Sequence, residues 1–360
     1  MNDLLLRGIR QSARDSISIS RDAALEILEN ERLDTDEILS LAEIPRKKHF
    51  ENFVQIHILD NIRNGSCGED CSYCAQRKGD SAEEIPQYST KEEEEILAEA
   101  RAAFESGAFR FCMVTSGRGP SRKSIAFYSS VIRKIKERYP IHICLSAGIL
   151  TDPALAGDLA AAGLDRYNHN LNTSDARYAE ICTTHTFQDR LSTLANMRQA
   201  GVSLCSGVIA GMGESSEDLV DVAFRLREAN VESIPVNFFL PVPGHAVKNQ
   251  TPLSPEKCLR ILSMFRLVNP ASEIRMAAGR EFHIRERQKD ALRAANSLFV
   301  SGYLNVKGSN AEETFRLIVQ SGYRIDSKNS DLPIPAEFSS EASIGDVSMK
   351  SIEELRPFRS

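Results

Sequence analysis

FRFCMVTSGRGPSRKSIAFYSSVIRKIKERYPIHICLSA, residues 109–147, decides the fold. Phe109–Thr115 is a short apolar run, and a Gly/Pro/Ser-rich turn follows it. An amphipathic stretch over about 123–138 leads to a second apolar run at Ile141–Ala147. Two strands separated by one helix make a parallel βαβ unit. The same alternation recurs in both directions. Phe53–Leu59 reads as the first strand, and Thr90 with Glu93 reads as a capping box opening the helix that follows. Downstream, Leu164–Leu171, Val202–Ile209, Ser233–Leu240, Glu273–Ala278 and Ser297–Val300 read as further strands. Helices are expected near 174–182 and over 187–200, 216–229 and 284–295, with Ser254 and Pro255 opening another.

Eight such units fit a (β/α)8 TIM barrel of roughly 250 residues. A doubly wound open sheet is the alternative, but no glycine-rich dinucleotide fingerprint follows the first strand. Residues 1–50 form a helical leader with candidate helices at Arg21–Asn30 and Asp36–Leu41. The barrel occupies 51–326, and 327–360 reads as a flexible or loosely docked C-terminal extension.

Composition narrows the class. The 360 residues are 42% hydrophobic and 26% charged, as in an ordinary globular enzyme. A formal charge of −6 argues against a nucleic-acid binder that neutralises phosphates. No apolar run approaches a membrane span or a signal-peptide core, so a cytoplasmic protein with reduced cysteines is expected.

Three of the eight cysteines crowd into Cys67-Gly-Glu-Asp-Cys71-Ser-Tyr-Cys74, just after the first strand. In a parallel barrel that is the C-terminal face, where active sites are built. Three thiolates hold three irons of a cubane cluster and leave the fourth open to an exchangeable molecule. A structural zinc is the other reading; it prefers four closed ligands, and no second CxxC or paired histidines supply them. Several strands carry polar or sulfur residues where a barrel interior usually holds aliphatics: Cys112, Cys144, Cys205, Asn237 and Arg275. Asn168, Asn170 and Asn172 share one face of an extended strand. A single buried cysteine is usually a small hydrophobe. Three, with an arginine, could instead ligate a second metal centre, whose anionic cluster would compensate the buried guanidinium. Cys182 and Cys258 read as ordinary packing, and His169 should point into the barrel–helix layer. His57 is a weaker candidate for a contact beside the cysteine loop, and glycines 207, 211 and 213 alone are weak evidence for a ligand cradle.

The C-x3-C-x2-C spacing, with Tyr73 before the last cysteine, resembles the radical S-adenosylmethionine enzymes. Together with FRFCMVTSGRGPS (109–121), HIC (142–144), YNHNLNTS (167–174), CSGVIAGMGE (205–214), SIPVNF (233–238) and IRMAAGRE (274–281), it resembles the biotin synthase family over about Ile44–Ile325. The resemblance implies that Cys67, Cys71 and Cys74 bind a 4Fe–4S cluster. It implies that Cys112, Cys144, Cys205 and Arg275 hold a 2Fe–2S cluster. Tyr73 and the Gly207–Glu214 segment would line the adenosine of S-adenosylmethionine, which Asn170, Asn172 and Arg190 would also contact. Asn168 and Asn237 would face the ureido ring of dethiobiotin. The implied reaction inserts sulfur from the 2Fe–2S cluster into dethiobiotin. The implied partners are a flavodoxin or ferredoxin reductant, iron–sulfur assembly proteins and a second copy of the chain, with no nucleic acid and no membrane. Two departures stand out. Asn172 stands where many members carry aspartate, and Pro243-Gly244-His245 replaces the more usual Gly-Thr-Pro. Two rivals remain at this point: another radical enzyme using the barrel cysteines only structurally, and an electron carrier without turnover.

Overall fold

β1 (Phe53–Arg63) pairs in parallel with β2 (Arg110–Thr115) on one side and with β9 (Ser297–Phe299) on the other, and that double pairing closes the barrel. Between them run β3 (His142–Ser146), β4 (Arg166–Asn168), β5 (Ser203–Cys205), β6 (Val208–Ala210), β7 (Ser233–Phe238) and β8 (Glu273–Met276). The structure is a computed structural model that describes residues 2–77, 85–329 and 347–359. The outer ring includes α4 (Glu93–Glu105), α5 (Arg122–Arg138), α6 (Pro153–Ala161), α7 (Tyr178–Ile181), α8 (Phe187–Gln199), α9 (Ser216–Glu228) and α10 (Pro255–Val268). Shorter pieces follow: α11 (Arg280–His283) and α12 (Gln288–Ala291), then α13 (Ala311–Gln320) leading to β10 (Arg324–Asp326), which pairs with the start of β1. The topology is the parallel (β/α)8 barrel expected from the strand–helix alternation.

Local chemistry accounts for most helix starts. Ser121, Asp152, Ser215 and Ser254 cap α5, α6, α9 and α10 through side-chain oxygens, and Thr186 with Asp189 completes a capping box on α8. The expected Thr90–Glu93 box does not form. α4 is preceded by Glu92 without a side-chain cap, because Lys91 is drawn inward to Asp60 (2.7 Å) and Glu99. The single strand expected over Val202–Ile209 is two, β5 and β6, broken at Ser206-Gly207. A side chain at Gly207 would place its Cβ 1.9 Å from the Pro235 carbonyl, so only glycine allows β7 this close. The helix expected over 284–295 is reduced to a 3-10 turn and α12.

The leader consists of α1 (Asn2–Asp15), α2 (Arg21–Glu29) and α3 (Thr35–Phe50), and it packs on α10 and α9. Arg46 ties it to the barrel floor, donating to Leu292 O (3.2 Å) and Phe53 O (2.8 Å) while lying over the Tyr323 ring. At the other end of the chain, residues 330–346 of the expected extension lie outside the described residues. Residues 347–359 run back across the barrel mouth. Met349 bridges to Val306, Lys350 N donates to Asn305 O (2.7 Å), and α14 (Ile352–Leu355) presents Leu355 O to Lys91 (2.6 Å).

Candidate active site

The CGEDC loop leaves the C-terminal end of β1 and is pinned on both sides. Cys67 N donates to Gln76 O (3.1 Å), and Ser72 N donates to Ile181 O (2.8 Å). Glu69 accepts from Thr184 Oγ1 (2.7 Å), and Asp70 accepts from Thr183 N (3.0 Å) and Thr184 N (3.3 Å). Cys67, Cys71 and Cys74 are free thiols on the wall of a cavity of about 290 Å3 that opens at this face. Burial holds the Cys74 thiol up at about 11.

Cys182, expected to be ordinary packing, is part of this site. Its Sγ lies 3.7 Å from Cys71 Sγ, 3.2 Å from Asp70 Oδ1 and 3.3 Å from His185 Nδ1. Cys71, Cys182 and His185 converge as ligands of a single ion could. Both ring nitrogens of His185 are already engaged, however: Nε2 accepts from Arg190 Nη2 (2.9 Å), and Nδ1 faces Glu69. A zinc there would have to displace a guanidinium contact and sit beside its positive charge, so the donor set fits an iron–sulfur cluster on Cys67, Cys71 and Cys74 better.

Deeper in the same cavity the wall includes Cys112 and Cys144, register partners on β2 and β3, and Arg275 from β8. Cys205 completes the thiol group from β5; Asn168, its register partner, donates to Cys205 Sγ at 3.1 Å. Burial raises the Cys112 thiol, but the hydrogen bond with Cys144 and the charges of Arg275 and Arg110 outweigh it, so Cys112 lies below its ordinary value. Cys144 is pushed up to about 12, chiefly because its own proton is engaged with Cys112.

Arg275, expected to have an anionic cluster as a compensating partner, also has one from the protein itself, Glu273. Its buried carboxylate pairs with Arg275 and lies 2.6 Å from Arg166 Nη1, 3.8 Å from Arg110 Nη2 and 2.8 Å from Ser297 Oγ. Burial raises this carboxyl, but Arg275, His57 and Arg166 hold it well below its usual value. Three guanidinium groups against one carboxylate leave two positive charges uncompensated. The Nε atoms of Arg110, Arg166 and Arg275 are buried without a hydrogen-bond partner. A layer built this way calls for an anionic occupant, and a thiolate-bound iron–sulfur cluster is one.

The structure brings most of the other expected residues together. Tyr73, Asn168, Asn170, Asn172, Arg190 and Asn237 all reach the cavity. β4 ends at Asn168, so the asparagines do not share one strand face; Asn172 takes a left-handed φ of 70° and donates to Tyr73 OH at 2.6 Å. Arg190 donates to Asn170 O (2.7 Å) and Tyr178 OH, and so fixes the loop that carries these amides. Asn237 is tied to backbone at both ends of its amide, by Val208 O (3.0 Å) and Ala278 N (3.2 Å). Two expected contacts do not reach the cavity wall. Gly207 is packed on Pro235, and Glu214 spends its carboxylate on Gly211 N and Met212 N (2.6 and 2.7 Å), leaving Ile209 to represent that segment. His169 is among the residues that border the cavity, with its Nε2 buried, and His57 lies beside Cys112, not the cysteine loop.

Sequence comparison agrees with this architecture. Residues 62–226 match the Radical SAM superfamily, and residues 235–324 match the Biotin and Thiamin Synthesis associated domain. A biotin synthase of Leptospira interrogans is 51% identical over 95% of both chains. One of Leptospira biflexa is 56% identical over 83% of this chain and 84% of its own. Among solved structures, methylornithine synthase (PylB) superposes with a TM-score of 0.74 over 88% of this chain and 97% of its own. The hydrogenase maturase HydG of Carboxydothermus hydrogenoformans superposes with a TM-score of 0.77 over 90% and 80%. Both are 18% identical and speak for the fold. With the cysteine loop on the barrel mouth and relatives of this identity along nearly the whole chain, the protein belongs to the biotin synthase family of radical S-adenosylmethionine enzymes.

Proposed function

We propose that the chain inserts sulfur into dethiobiotin, with the sulfur coming from a 2Fe–2S cluster held by Cys112, Cys144 and Cys205 beside Arg275. The observation that carries this reading is a single cavity whose wall holds Cys67, Cys71 and Cys74 together with Cys112 and Cys144, with Cys205 clustered behind the last two. When bound, a 4Fe–4S cluster with S-adenosylmethionine supplies a 5′-deoxyadenosyl radical, which removes hydrogen from C–H bonds that no side chain could deprotonate.

The chain's own residues hold and shield. Tyr73, Asn172 and Arg190 form a hydrogen-bonded group beside the cysteine loop, placed to fix the nucleoside end of S-adenosylmethionine. Asn168 and Asn237 line the cavity and would meet the polar ureido edge of dethiobiotin, which needs donors and acceptors, while Asn170 would contact S-adenosylmethionine. Leu240, Val242, Val306 and Met349 line the cavity with apolar surface that would keep water from the reacting carbon. Holding that carbon against a fixed sulfur source is the protein's main contribution to rate. A flavodoxin or ferredoxin would serve as the reductant, with assembly proteins renewing the clusters and a homodimer as the working form.

Cys112→Ala separates the two cysteine sets. The variant is expected to bind S-adenosylmethionine and form 5′-deoxyadenosine when reduced, while biotin falls to background. Wild-type biotin yield in that variant would remove Cys112 from the sulfur source and favour a radical enzyme whose barrel cysteines are structural.

A further inference from the structure

Met349 lines the cavity, yet it arrives there from a segment that lies beyond the barrel in sequence. It pairs with Val306 in antiparallel fashion. Lys307 N donates to Ser348 O (2.9 Å), and Lys350 N donates to Asn305 O (2.7 Å). The Asn305 side chain accepts in turn from Asn64 Nδ2 (2.7 Å), just past β1. On its apolar side Met349 joins Leu240, Val242 and Ala75 in one cluster, and Ala75 directly follows Cys74.

A second anchor lies further along the same segment. Leu355 O, in α14, accepts from the buried Lys91 (2.6 Å). Arg356 makes two hydrogen bonds to Glu95 (3.0 and 2.5 Å) and lies over the Tyr88 ring. Charge accounts for this docking. Asp60, Glu95 and Glu99 set three carboxylates around the ammonium of Lys91, and Arg356 brings them a second cation. Leu355 is the one buried side chain among the described residues of 347–359. A piece held by a few polar contacts and one leucine opens at far lower cost than a barrel strand.

We propose that residues 347–359 are a strap that closes over bound substrate, with Met349 as the wall for the substrate's alkyl part and the Lys91–Leu355 and Glu95–Arg356 contacts as its clasp. This rests on the reading of the cavity as the dethiobiotin site. Met349 then sets substrate affinity, and Arg356 is a positioning residue that acts through it. Neither Lys91 nor Arg356 borders the cavity, so loosening the clasp changes the hold of Met349 without removing a substrate contact.

The test uses full-length holoenzyme with both clusters counted by Mössbauer spectroscopy, alongside Met349→Ala, Met349→Leu and Arg356→Ala. Equilibrium binding without reductant gives Kd for dethiobiotin and for S-adenosylmethionine. Reduction at saturating dethiobiotin gives the first-turnover rate of biotin formation. Hydrogen–deuterium exchange follows the Lys307 and Lys350 amides with and without dethiobiotin. The Kd for dethiobiotin is expected to rise roughly tenfold in Met349→Ala, the effect of losing one apolar contact of this size, and to rise in Arg356→Ala as well. Met349→Leu should stay close to wild type. The Kd for S-adenosylmethionine should hold in all three variants, and dethiobiotin should slow exchange at both amides of the wild type. Three results would overturn the proposal: an unchanged dethiobiotin Kd in either alanine variant, equal rises for both ligands, or exchange indifferent to dethiobiotin. Loaded wild type that forms no biotin on reduction would sink the functional reading itself, and this inference with it.

Discussion

Glu273→Gln should destabilise the metal-free protein by roughly 3–5 kcal/mol, the usual cost of breaking a buried ion pair from one side. The substitution keeps the shape of the side chain but leaves Arg275, Arg166 and Arg110 without their common anion. Because the folded carboxyl is held below its ordinary value, its contribution is fully present across neutral pH. It is lost only as acid protonates the native group, so the deficit narrows at low pH. An anionic cluster in the same layer would offset part of the loss. The variant should therefore gain more stability from cluster loading than the wild type does. Denaturant titrations of metal-free and loaded protein, with iron counted in each, check this. Equal midpoints for variant and wild type in both forms would show that Arg110, Arg166 and Arg275 do not depend on this carboxylate.

Cys71→Ala is expected to have the larger effect on chemistry. Under the proposed assignment it removes a cluster ligand itself, so the loss of 5′-deoxyadenosine formation should exceed the ~10–100-fold typical of residues one step further from a metal. The barrel interior lies deeper and shares no side chain with the CGEDC loop, so the 2Fe–2S signal should persist in the same sample. Deoxyadenosine formation at the wild-type rate would exclude Cys71 as a cluster ligand. Cys182, at 3.7 Å, would be the first residue to examine as its replacement.

The parts of this molecule that were legible in its sequence are those written locally. Strand-length apolar runs alternating with capped helices announce a parallel barrel, and serine or aspartate at most helix starts fixes where those helices begin. The cysteine motif is equally local. What sequence reading missed depends on contacts between distant segments. Cys182 reaches Cys71 across 111 residues, and the carboxylate partner of Arg275 also holds Arg166 from four strands earlier in the chain. A signal for that hub was nevertheless present. Arg110 precedes Cys112 by two residues, Arg166 precedes Asn168 by two, and Glu273 precedes Arg275 by two. The period of a strand therefore puts each on the same inward face as a residue already singled out. The break between β5 and β6 was hidden for a different reason: Gly207 is needed for its distance to Pro235, which no local pattern encodes.

The central claim is that one cavity holds two different iron–sulfur centres and consumes the deeper one. The most direct measurement is anaerobic Mössbauer spectroscopy of iron-57 protein before and after adding S-adenosylmethionine, dethiobiotin and a reductant. The account predicts both 4Fe–4S and 2Fe–2S signals at the start, with the 2Fe–2S signal falling in step with biotin formed. A single 4Fe–4S signal, with deoxyadenosine produced and no biotin, would contradict it.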